Sequence, residues 1–181
     1  QYSKEAVGGL KYWGHFRSKD LISWERLDIF LGPDKDFDKS GVYSGSALVH
    51  DDKLYIYYTG NVKEVGDYDY IYKGRQHNTV LVVSEDGMNV ESRQVVLYNK
   101  DYPADMSCHV RDPKVFAYDG KFYMVLGARS NDDKGQVLVY ESSDLYNWYF
   151  INTIKTDYDF GYMWECPDLF MLDGKWILLV S

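Results

Sequence analysis

Apolar positions along this chain come in short runs broken by tight polar turns, and no run follows a helical period. Residues 47–55, 115–123 and 169–177 repeat one pattern: an apolar strand, an Asp-Gly or Asp-Asp turn closed by Lys, then a second apolar strand. Asp-Gly between two apolar runs predicts a hairpin, because both turn residues tolerate positive φ. The turn lysines Lys53, Lys121 and Lys175 mark a unit of about sixty residues, above the roughly 20–50 usual in repeat arrays. A second signature recurs between the hairpins. Ser18-Lys19-Asp20-Leu21-Ile22-Ser23-Trp24 matches Ser142-Ser143-Asp144-Leu145-Tyr146-Asn147-Trp148, with Ser84-Glu85-Asp86-Gly87-Met88-Asn89-Val90 as a looser copy. Each reads as a polar turn followed by an apolar residue that anchors an outer strand. Four strands per unit is the composition of a β-propeller blade, and the fold class is all-β.

The remaining segments fit that frame. Tyr12 to Ser18 alternates and predicts a short strand; 42–49 predicts an inner strand, 54–58 a strand ending at Thr59-Gly60, and 79–84 and 136–140 further strands by β-branched content. Trp176 to Ser181 reads as a buried strand. Residues 1–10 read as loop around Gly8-Gly9. The charged loop 34–41 lacks the closing Glu and the oxygen spacing of a calcium site. Residues 61–78 read as a long polar, Tyr-rich insertion, a lid or a substrate rim. Pro113 is compatible with the start of a strand but not with the middle of a central one.

Composition narrows the function. Net charge is −8 with no Lys/Arg-rich run, which argues against nucleic acid as a partner. No stretch is long enough to span a membrane and no signal-peptide pattern is present. Cys108 and Cys166 show no metal-type spacing, and the histidines at 15, 50, 77 and 109 form no short pair, so neither metal nor cofactor is expected. Nothing suggests a disulfide framework, although one bridge stays open. Aromatics are 17% of residues, with 18 Tyr. Flat apolar faces with polar edges suit sugars, although most of these rings simply pack between sheets. The chain starts at Gln1 without Met and stops inside an apolar run, as a piece of a longer protein would.

The candidate chemistry comes from the repeat. Counted back from the turn lysines, Tyr43, Arg111 and Glu165 become equivalent, as do Ser44, Asp112 and Cys166. Inner strands of a propeller surround a channel and open at one mouth, so two carboxylates, a guanidinium and a hydroxyl are expected to gather there. Glu165 stands between Trp164 and Cys166-Pro167. Crowding by poorly hydrated groups would raise its pKa toward that of a general acid. Taken singly, Glu165 is an ordinary carboxylate at a strand start, Arg111-Asp112 a surface pair, and Trp13 core packing rather than pocket lining.

Taken together, these motifs resemble glycoside hydrolase family 32, the invertases, sucrose-6-phosphate hydrolases and fructan hydrolases. The matching residues are Trp13-Gly14-His15, Ser18-Lys19-Asp20-Leu21 with Trp24, Tyr43-Ser44-Gly45-Ser46-Ala47, Arg111-Asp112-Pro113-Lys114-Val115 and Trp164-Glu165-Cys166-Pro167-Asp168-Leu169. The resemblance implies a five-bladed propeller with a retaining β-fructofuranosidase site acting on a small-molecule or oligosaccharide substrate. Residues 1–181 would hold the end of the first blade, the second and third blades and the start of the fourth, about three blades, without the family's C-terminal β-sandwich. Glu165 would be the acid/base and Asp112 the transition-state stabiliser, with Arg111 beside it. Gln1, Trp13, Tyr43 and Ser44 would line the sugar pocket, with Arg111 and Cys166 as further substrate-binding residues. Tyr43 replaces the family's usual Phe. The family's nucleophile, the Asp of an Asn-Asp-Pro-Asn-Gly motif, has no match here and would lie before Gln1, so these residues alone would be inactive. A sucrose-6-phosphate hydrolase would be cytoplasmic and a fructan hydrolase extracellular. The alternatives are a related arabinosidase or xylosidase and a non-catalytic sugar-binding propeller.

Overall fold

A computed structural model describes residues 3, 5 and 9–181. The described chain is β-structure throughout, with one short 3-10 turn at Asn99–Asp101. β1 (Phe16–Ser18) and β2 (Trp24–Arg26) form a two-stranded sheet. β3 (Val42–His50), β4 (Lys53–Lys63), β5 (Arg75–Ser84) and β6 (Ser92–Leu97) form a four-stranded meander. β7 (Met106–Tyr118), β8 (Lys121–Ser130), β9 (Gly135–Ser142) and β10 (Tyr149–Ile154) form a second. β11 (Asp168–Leu172) and β12 (Lys175–Leu179) close the series. Sequential antiparallel meanders packed face to face are the blade pattern of a propeller.

The hairpin turns form as the sequence requires. Asp51-Asp52, Asp119-Gly120 and Asp173-Gly174 all have positive φ at both positions, the type I′ geometry whose twist matches the flanking strands. The three Ser-x-Asp turns are copies in detail. Ser18, Ser84 and Ser142 each donate from Oγ to the Asp two residues on, and that Asp Oδ1 accepts two later backbone N–H groups. Leu21, Gly87 and Leu145 follow in the left-handed region. In the third copy the apolar anchor is Leu145, buried against the preceding sheet, where its carbonyl accepts Tyr57 Oη at 2.6 Å and Trp148 meets the Tyr57 ring edge-on. The first copy leaves Leu21 and Trp24 exposed.

The main core lies between the two meanders. Tyr55, Tyr57, Leu81 and Val83 face Val110, Met124, Leu126, Leu138 and Tyr140. The inner strands are also stitched directly: Val115 N–H donates to Ser46 Oγ at 3.0 Å, and Lys114 pairs with Asp168 at 3.0 Å.

One expectation changes in extent. Residues 61–78 are strand at both ends and loop between: β4 runs past Thr59-Gly60 to Lys63 and β5 begins at Arg75, which leaves 64–74 as the loop, and Asn61, His77 and Asn78 are buried. Paired polar residues can extend a ladder whose backbone bonds are satisfied, which apolar periodicity does not detect. The terminal apolar run forms β12, with Trp176, Leu179 and Val180 exposed among the described residues.

Candidate active site

One irregularity builds the site three times. β3 leaves register with β4 between Val42, opposite Gly60, and Gly45, opposite Tyr58. β7 does the same between Arg111, opposite Gly127, and Lys114, opposite Val125. Glu165 exchanges backbone bonds with Ser181, whereas Asp168 already pairs with Leu179. In each case three steps along the inner strand match two along its neighbour, so the strand bulges and re-aims its side chains. Asp112 and Cys166 take positive φ there, +60° and +46°. Pro113 sits within the bulge of β7, an edge strand, where no ladder N–H is required.

Strand length shifts the expected equivalence by one residue. The β3–β4 hairpin is one rung longer than the others, so Tyr43 falls in step with Asp112 and Cys166, and Val42, buried in the core, with Arg111 and Glu165. Tyr43 and Ser44 nevertheless reach the common mouth. A cleft of about 320 Å³ is lined by Tyr43, Ser44, Arg75, His109, Arg111, Asp112, Glu165 and Cys166.

Within it, Arg111 organises the charges. Its Nη2 donates to Glu165 Oε1, its Nη1 donates to His109 Nδ1 at 2.7 Å, and its Nε lies 3.8 Å from Asp112 Oδ2. Asp112 is only 7% exposed and is held by two backbone contacts: its N–H donates to Thr59 Oγ1 at 2.9 Å, and its Oδ2 accepts the Cys166 N–H at 3.0 Å. Burial pushes the Asp112 carboxyl above its ordinary pKa, against the lowering effects of the Cys166 N–H and Arg111. Burial likewise raises the Cys166 thiol, helped by Asp112. Both cysteines are free thiols.

Glu165 is not crowded as its sequence neighbours suggest. Trp164 turns into the core with Val125, Val137 and Val139, while the Glu165 side chain is 47% exposed and faces Arg111. Adjacent residues on a strand point to opposite faces, so flanking apolar residues need not surround it. Trp13 packs against Tyr58 and donates Nε1–H to the Tyr43 carbonyl at 2.9 Å, supporting the cleft wall from behind. Gln1 lies outside the described residues. Among those described, no three His, Cys, Asp or Glu side chains gather as metal ligands.

Sequence reasoning missed Arg75 and His109. His109 Nε2 lies 2.9 Å from the Tyr70 carbonyl and 3.2 Å from Arg75 Nη1. Burial brings the His109 pKa down to about 4, with Arg111 and Arg75 adding to the fall. No local motif marks this pair; the fold brings together 75 and 109 from different sheets.

Residues 1–181 match the family description Glycosyl hydrolases family 32 N-terminal domain over their whole length. The chain belongs to glycosyl hydrolase family 32. Sucrose-6-phosphate hydrolase of Bacillus subtilis (strain 168) is 43% identical over 179 residues, covering 96% of this chain and 35% of the relative. The solved sucrose-6-phosphate hydrolase of Lactobacillus gasseri superposes with a TM-score of 0.86 at 34% identity, covering 99% of this chain and 36% of that one. A mutant family 32 β-fructofuranosidase of Bombyx mori in complex with sucrose gives 0.76 at 40% identity, covering 93% and 34%. This family 32 chain thus spans about a third of the length of these relatives.

Proposed function

We propose that this chain carries the acid/base half of a retaining β-fructosidase site, in a protein that hydrolyses β-fructofuranosidic bonds of a small sugar. The observation that carries the reading is the joining of Glu165, Arg111 and Asp112 in one cleft from two successive strand-entry bulges. Membership of family 32 and the sucrose bound to a similar enzyme support it.

In this reading Glu165 protonates the leaving oxygen and then activates water. The Arg111 guanidinium orients its half-exposed carboxyl. Asp112 is the sugar-holding carboxylate. Its backbone-held oxygen fixes it in place, and hydrogen bonds from ring hydroxyls strengthen as positive charge develops on the sugar. A retaining mechanism also needs an attacking carboxylate about 5–5.5 Å from the acid/base. Neither Asp112 nor Glu165 has that role in this reading, and the family resemblance gives it to the Asp of an Asn-Asp-Pro-Asn-Gly motif.

Glu165→Gln in the intact protein tests the assignment. Turnover of sucrose is expected to fall about 10²- to 10⁴-fold, the range for losing general acid–base catalysis, with affinity for sucrose kept within a few-fold. Turnover within tenfold of the parent would reject it. Hydrolysis of aryl arabinosides with none of sucrose would point to the arabinosidase alternative.

A further inference from the structure

The guanidinium of Arg75 has no counter-charge within the described protein. It lines the cleft, yet no carboxylate pairs with it, and its Nε is buried without a hydrogen-bond partner. Its near polar neighbour is no acceptor either. Arginine only donates, so Arg111 Nη1 at 2.7 Å obliges His109 Nδ1 to accept. The imidazole proton then sits on Nε2, where the Tyr70 carbonyl takes it. Arg75 Nη1, 3.2 Å from that same nitrogen, therefore meets another N–H.

The surroundings carry the same deficit. Asn61 pairs with His77 and Lys63 with Arg75 across the β4–β5 ladder, so the four lie on one sheet face. Asn61 Oδ1 and both ring nitrogens of His77 are buried without partners, as is Arg75 Nε. The His77 ring lies 5.6 Å from Tyr43 and 5.5 Å from His109, next to the sugar-facing wall. Buried polar groups ordinarily find partners. Burial also lowers the Arg75 pKa.

We propose that Arg75 is the specificity residue of the cleft and binds the phosphate monoester of a phosphorylated sugar substrate. The inference rests on the reading of the cleft as a β-fructosidase site. A planar guanidinium suits phosphate because its fork matches two phosphate oxygens. His109 keeps Arg75 and Arg111 apart, so the phosphate-binding cation is distinct from the one that holds Glu165. An unphosphorylated sugar brings Arg75 no negative charge, so the site favours the charged substrate.

The test compares sucrose 6-phosphate with sucrose in the intact protein, for the parent, Arg75→Gln and Arg75→Lys. The ratio of their kcat/KM values is expected to fall about ten- to a hundredfold in Arg75→Gln, as for loss of a charge-assisted hydrogen bond, and less in Arg75→Lys. An unchanged ratio, or an equal loss on both substrates, overturns the proposal; equal loss means that Arg75 only props His109. Calorimetric titration with inorganic phosphate gives an arm independent of turnover: saturable binding by the parent, lost in Arg75→Gln, supports the site, and no binding by the parent overturns it. If the parent cleaves neither substrate, the β-fructosidase reading fails, and the phosphate titration still decides the role of Arg75.

Discussion

At the scale of single residues, the site depends on opposed demands placed on Asp112. The fold buries this carboxylate and raises its pKa, mainly through desolvation. A raised carboxyl pKa favours the folded state while the group is protonated, and that contribution is lost as pH rises through the folded-state value. Asp112→Asn removes the penalty. Its unfolding midpoint is expected to exceed the parent's at pH 7, with the gap closing as pH falls and the parent's Asp112 becomes protonated, while fructoside turnover is lost. Thermal unfolding of both proteins between pH 4 and 8 checks this; a gap that widens in acid contradicts it. Arg93 poses the same question in the core. It bonds Asp38 Oδ2, Tyr58 Oη at 2.7 Å and the Gly32 carbonyl at 3.0 Å, holding the 32–41 loop on its sheet, and Asp38 is fully buried. Arg93→Met strands that carboxylate and is expected to cost about 3–5 kcal/mol in urea denaturation, with much of it recovered in the double variant Asp38→Leu, Arg93→Met.

At the scale of elements, the bulge at each strand entry is the functional device. Gly127, opposite Arg111 in the second bulge, shows how closely the elements meet there. A Cβ added to it would stand 2.2 Å from the Trp164 carbonyl oxygen, the residue before Glu165. Gly127→Ala must therefore push that backbone aside. A displacement near 1 Å can cost about 10²-fold in rate, so kcat is expected to fall by about that factor although no side chain in the cleft has changed; steady-state kinetics with sucrose reads it. The hairpins themselves were legible in the sequence, because Asp-Gly and Asp-Asp turns impose local φ values. The bulges were not, because they are mismatches between two strands. Nor was the extra rung of the β3–β4 hairpin, which is why counting from Lys53, Lys121 and Lys175 brought Tyr43 to the right mouth one residue out of step. Arg75 and His77 were hidden for a related reason: their half of β5 is polar, and only its pairing with β4 showed that the strand predicted over 79–84 begins at Arg75.

At the scale of the molecule, sheet-to-sheet packing decides where the strand entries meet. Tyr57 carries much of this, with its hydroxyl on the Leu145 carbonyl and its ring against Trp148. Trp148→Ala opens the junction between the two meanders and is expected to cost about 3–5 kcal/mol by chemical denaturation. What the sequence by itself determined is everything set by neighbours along the chain: the turns, the repeat, the all-β class, and the motifs around Asp112 and Glu165. What only the tertiary structure decided is which groups share charge. Arg111 reaches Glu165 across 54 positions of sequence, Asp112 takes its hydrogen bond from Cys166, and Arg75 is left facing an N–H. Backbone preference acts over a few residues, whereas burial and electrostatic pairing act through space, between strands whose register the local sequence does not encode.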